Sequence, residues 1–268
     1  MLLAHAAWSA PPVVLSLATL TAALFTQGWL RLRRRGRRDL ADWKWAALFG
    51  LGVLVALAGL VSPIHTLGEN HLLWVHMLQH VLIGDLGIAL MIAAVRGPLL
   101  VFMLPARVLG PIARDRDVRT FLSFLLRPPV AFGLWAVNLA VWLIPSLYIS
   151  AVLHPALHDL EHACWIVAGL LVWTLLIDPG SHHRLSIGGR IALAVAIFAA
   201  GQVLTDLLVF SFHPLYPLYH GAYGFSALSD QKLAGLVMMG EQLLTLGTLV
   251  FLLIRPRLRH PRLAPASG

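Results

Sequence analysis

The chain has 268 residues, of which 59% are hydrophobic and only 12% charged, against roughly 25% charged residues in an ordinary soluble domain. A mean hydropathy of +0.79 leaves more apolar surface than a water-soluble core can absorb, and the long, unalternating apolar runs exclude a lipid-facing barrel in favour of helices. The net charge of +8 sits in short segments between those runs, a pattern that sets membrane topology and excludes a nucleic-acid surface.

A spanning helix takes about 20 mostly apolar residues, and seven are predicted: 13–32, 44–63, 70–95, 129–151, 155–177, 190–212 and 231–254. The expected fold is all-α: a polytopic integral membrane protein with seven transmembrane helices, one domain surrounded by membrane lipid. The first span has no basic residue before it and a basic cluster from Arg31 to Arg38 behind it, so it reads as a retained helix and not as a signal peptide. Seven spans place the termini on opposite sides. Nineteen of the 20 Lys and Arg residues then fall on one side, with Lys232 alone opposite. By the positive-inside rule that side is cytoplasmic, which puts the N-terminus outside and the C-terminus inside.

That topology gives the histidines a pattern. His5, His65, His71, His76, His80, His154, His158, His162, His213 and His220 fall on the outer side, and only His182, His183 and His260 on the inner. Histidine within spans is rare and marks a site or pathway. In the third span His76, Met77 and His80 lie within about a 100° arc, whereas Asp85 is turned about 140° from His80. The segment 96–128 mixes Arg114, Asp115, Arg116, Asp117 and Arg119 with apolar residues, as either an interfacial helix or a solvated connector.

In the fifth span His154, His158 and His162 follow one another at i,i+4, with Glu161 in the same stripe and Asp159 off it. In the sixth, Gln202, Asp206 and His213 form a polar row. In the seventh, Asp230, Met238 and Glu241 share a face. An ionised carboxylate facing lipid is costly, so both rows are expected to face protein or a wet interior. Glu161, Asp206, Asp230 and Glu241 are candidates for orienting the imidazoles or for a proton path.

The expected metal ligands are His76, Met77, His80, His154, His158, His162 and Met238. Imidazole suits zinc, copper and iron, and thioether sulfur selects Cu(I). Copper is therefore the expected metal; haem clamped between histidines of facing helices and zinc are the alternatives. The single cysteine, Cys164, excludes a disulfide within the chain and any CxxC thiolate site. The stretch from His158 through Asp159 to His162 lacks the acid order of HExxH.

The stretch His71-x4-His76-Met77-x2-His80, with the apolar run to Gly97-Pro98-Leu99-Leu100, resembles the CtaG family of membrane cytochrome c oxidase assembly factors, the group associated with caa-type oxidases. The stretch Asp230-Gln231-x2-Ala234-Gly235-x2-Met238 is similar to that family's last-helix signature, and Pro214-Leu-Tyr216-Pro217 to the loop before it. The resemblance runs from about residue 15 to 254. It implies a non-enzymatic role in a bacterial-type cytoplasmic membrane: copper binding at the outer face and delivery to the catalytic subunit. The implied partners are cytochrome c oxidase subunits and a periplasmic or extracellular copper donor. Rival readings are a haem-binding or electron-transfer membrane protein, an intramembrane zinc-dependent hydrolase, and a transporter using Asp85, Asp206 and Glu241.

Overall fold

The computed structural model describes Trp8 and residues 11–259, and among these there are helices and no strands. His5 and His260 lie outside the described residues. Helices α1 (Pro12–Arg34) and α2 (Trp43–Val61) are followed by a short α3 (Pro63–Asn70). Next come α4 (Leu73–Val81), a π-helical turn (Leu82–Leu86) and α5 (Gly87–Ala94), together one interrupted rod. Three short helices then connect, α6 (Leu99–Met103), α7 (Ala106–Arg114) and α8 (Arg116–Leu125). The remainder is α9 (Pro128–Trp142), α10 (Pro145–Leu153), α11 (Pro155–Ile177), α12 (Ile187–Phe210) and α13 (Ala227–Arg259).

Six of the described helices or rods are long and apolar enough to cross a membrane, and seven if α8 and α9, bent by 66° at their junction, count as one span. Prolines begin helices here more than they end them. Pro12, Pro63, Pro128, Pro145 and Pro155 each occupy the first turn of α1, α3, α9, α10 and α11, where the missing N–H costs nothing and the fixed φ already suits the helix.

One of these prolines reshapes an expected span. The stretch 129–151 is not one helix: it breaks at Leu143 and Ile144, because Pro145 starts a new helix, α10, whose Tyr148 is buried in the core. Likewise 70–95 is not continuous. Asn70 ends α3, His71 and Leu72 make the turn, and the buried rod begins at Leu73.

One end of the bundle gathers the basic segments. Arg31 Nη1 donates to the carbonyls of Phe102 (3.1 Å) and Leu104 (3.2 Å), Gly97 N donates to Pro179 O (2.9 Å), and the Arg96 guanidinium lies 4.0 Å over the Trp45 ring. A small core of Phe25, Trp29, Leu32, Phe49 and Leu99 joins α1, α2 and α6 there, with Phe25 and Phe49 stacked at 3.9 Å. The larger core runs through α4, α9, α11, α12 and α13. The opposite end carries α3, α10 and the 211–226 loop, and these cover the histidines.

Candidate metal centre

Helix α4 holds two of the histidines, and its start is fixed by a residue far away in sequence. Its N-cap is Leu72, which offers no side-chain acceptor to the first free N–H groups. Asp230 of α13 supplies one instead, accepting from Leu73 N at 2.9 Å and Trp74 N at 3.0 Å. A carboxylate at that position also complements the helix dipole. Helix α3 lies directly on α4 because residue 68 is glycine; a Cβ there would stand 2.9 Å from His76 N and Cα.

Helix α11 supplies the other pair. A Cβ at Gly169 would collide with the carbonyl oxygen of Gly84. The two backbones therefore touch, as small residues allow between membrane helices. This contact sets α11 beside α4 with His158, Glu161 and His162 turned inward.

His76, His80, His158 and His162 converge, each offering one ring nitrogen, with these atoms all within 4.8 Å of one another. All four are buried, between 0% and 6% exposed. His76 Nε2 stands 3.1 Å from His80 Nε2 and 3.2 Å from His158 Nε2. Ligands held tetrahedrally at ~2.0 Å from one ion are about 3.3 Å apart. The spacing thus matches one metal ion shared among imidazoles. Glu161, fully buried, brings Oε1 to 3.6 Å from His80 Nε2, and neither of its oxygens has a hydrogen-bond partner.

Two of the four rings are held from behind. Glu69 Oε1 accepts from His158 Nδ1 at 2.8 Å. A carboxylate is an acceptor, so Nδ1 carries a proton and Nε2 is the nitrogen turned to the other histidines. Glu69 is also 3.2 Å from His65 Nδ1, which Gln79 Nε2 approaches at 3.0 Å. Burial lowers the pKa of His65 and favours its neutral form.

On the other side, Tyr148 Oη is 2.7 Å and Tyr219 Oη 3.0 Å from His76 Nδ1; the two hydroxyls are 2.9 Å apart, and Tyr219 donates to Gly68 O at 2.9 Å. Burial raises the Tyr219 pKa, so it stays a protonated donor. A chain of hydrogen bonds from His76 Nδ1–H to Tyr148, Tyr148 to Tyr219 and Tyr219 to Gly68 fits these contacts and turns the His76 Nε2 lone pair toward the other histidines.

The remaining expected residues separate. Met77, Met238 and Glu241 line a cavity of about 30 Å³ beside His80, and Asp85 joins them. A π turn encloses one more residue than an α turn. Each residue from Leu82 to Leu86 therefore rotates less, and Asp85 comes round to His80's face instead of standing about 140° away. Asp230 is a helix cap, as described. His154 is not in the cluster: the residue before a proline is pushed to extended backbone, and His154, at φ −123° and ψ 105° before Pro155, is exposed with Nδ1 against Ser150 O at 2.8 Å. Asp206 is exposed on α12 and not in a buried polar row, and His213 lies beyond the end of that helix. His71 packs edge-on against Tyr223.

Glu69, Tyr148 and Tyr219 are the site residues that the sequence reading missed. For Glu69 a signal existed, an acid at the histidine-rich end and i+4 from His65. For the tyrosines there was none, since they reach His76 across 72 and 143 positions of chain.

The fold and site together define a multi-pass helical membrane protein with a buried cluster of histidines able to hold a metal ion. The family model for the cytochrome c oxidase caa3 assembly factor (Caa3_CtaG) matches residues 23–260. The chain belongs to that family. Searches among curated proteins and among solved structures return no match.

Proposed function

We propose that this assembly factor binds copper, as Cu(I), on His76, His80, His158 and His162 and delivers it to the catalytic subunit of the oxidase. The single observation carrying the reading is the convergence of four buried imidazoles, whose ring nitrogens lie within 4.8 Å of one another, with His76 Nε2 at 3.1 Å from His80 Nε2 and 3.2 Å from His158 Nε2. The choice of copper rests on the family and on Met77 and Met238, thioethers next to His80.

The spacing favours an ion over a haem. Axial histidines of a haem stand on opposite faces of the iron, about 4 Å apart with the porphyrin between them. Three nitrogens at 3.1–3.2 Å leave no plane for it. Four convergent imidazoles also fill a tetrahedral shell, whereas a hydrolytic zinc keeps one position open for water. Cargo carriage suits the filled shell better than hydrolysis does.

In this reading copper comes from an extracytoplasmic donor. The histidine end faces outward across a bacterial-type cytoplasmic membrane, because the basic segments gather at the opposite end. The ion leaves by ligand exchange, starting from His80 and His162, whose Nδ1 and Nε2 respectively lack partners.

The test is the copper content of the oxidase purified from cells carrying H76A/H158A in place of the wild-type protein. We expect assembled subunits lacking copper at the catalytic centre. Oxidase with full copper content and normal activity from those cells would refute delivery by this site.

A further inference from the structure

Beyond His80, further along the α4 rod, the bundle encloses a second polar cavity next to the histidine cluster. Met77, His80 and Asp85 from the α4 rod and Met238, Glu241 and Gln242 from α13 line it. No lysine or arginine lines it. Its volume of about 30 Å³ gives room for one ion or two to three waters, a water needing ~10–15 Å³ by the same measure.

Three observations mark it as built for a cation. Gln242 is only 7% exposed, and its Oε1 has no hydrogen-bond partner. The Glu241 carboxylate is buried beside that of Asp85. Asp85 is drawn to this wall by the π turn and held there by Trp173 Nε1, which donates to Oδ1 at 2.5 Å. A π turn costs regular helical hydrogen bonding and recurs where function demands it. Here it moves an acid from the far side of the rod into the cavity.

We infer that this cavity is a second metal station, distinct from the histidine cluster and sharing His80 with it, which takes a soft monovalent cation on the thioethers of Met77 and Met238. Thioether sulfur is selective for such an ion, and the carboxyl groups of Asp85 and Glu241 line the same cavity. His80 stands between the two positions. Its Nε2 faces His76, and its Nδ1 is buried without a partner. Moving from four nitrogens to sulfur and one imidazole changes the donor set without passing through water. The inference rests on the reading that the cargo is a soft metal ion, and it assigns the methionines to a place of their own.

The test is titration of the purified full-length protein with Cu(I) against a chromophoric chelator, with X-ray absorption of the loaded forms. We expect two ions per chain, one in a shell of nitrogen and one with sulfur. M77L/M238L, which nearly conserves volume, is expected to bind one ion and lose the sulfur shell. H76A/H158A is expected to keep the sulfur-bound ion. E241Q, with no change of size, is expected to weaken the sulfur-bound ion at least ~10-fold, as loss of an outer partner does, with the nitrogen-bound ion unchanged. One ion per chain with no sulfur, unaltered in M77L/M238L, would overturn the second station and leave the histidine site standing. Binding of no ion at all would remove both.

Discussion

His76 and His158 differ from His80 and His162 in what stands behind the ring. The first pair is braced: Glu69 holds one, and Tyr148 with Tyr219 holds the other, each leaving Nε2 turned to the common centre. The second pair is loose. His80 Nδ1 and His162 Nε2 are buried without a hydrogen-bond partner, and Glu161 Oε1 stands off at 3.6 Å from His80 Nε2. Partners behind a ligating imidazole fix its tautomer and raise its basicity. The difference teaches how a buried site can both hold and release. Two preorganised ligands give affinity, and two unbraced ones can rotate away first.

Removing the brace from Glu69 is the sharpest way to break the contrast. E69A is expected to lower copper affinity by about 10–100-fold, measured by chelator competition. E69Q is expected to recover part of the loss, because its carbonyl oxygen still accepts from His158 Nδ1. Equal affinities for E69A and wild type would mean that the braced pair is no tighter than the loose one.

Next comes the cap that places α4. D230A strands the buried N–H of Leu73 and the part-buried N–H of Trp74, at about 1–3 kcal/mol for an unsatisfied buried donor. A lower thermal midpoint of the metal-free protein in detergent is the expected result. Y148F is expected to be milder still, below about tenfold in affinity, since Tyr219 remains 3.0 Å from His76 Nδ1. H154A is the smallest. With His154 exposed at the start of α11, copper affinity should not change, and a loss would place a fifth histidine in the site.

Much of this was legible in the residues. The pairs His76 with His80 and His158 with His162, and Glu161 beside them, follow from helical periodicity alone, because each set lies on one regular helix. Where regularity failed, so did the reading. Pro155 takes His154 off its stripe, Pro145 breaks the fourth span, and the π turn brings Asp85 round to a face the 100° rule denies it. Asp206 was expected inside because it is charged, yet it lies exposed near the end of α12, where the helix gives way to the 211–226 loop. The braces were hidden for another reason. Tyr148, Tyr219 and Asp230 act on α4 from more than 70 residues away, through packing that no local pattern encodes.

The braced pair itself is the centre of the matter, and X-ray absorption on the copper-loaded, purified protein addresses it most directly. At one equivalent of copper we expect a shell of imidazole nitrogens near ~2.0 Å, with the outer-ring scattering of histidine, and its disappearance in H76A/H158A. A copper shell without histidine scattering in the wild-type protein, or one that survives in H76A/H158A unchanged, would contradict the assignment of these histidines as the site.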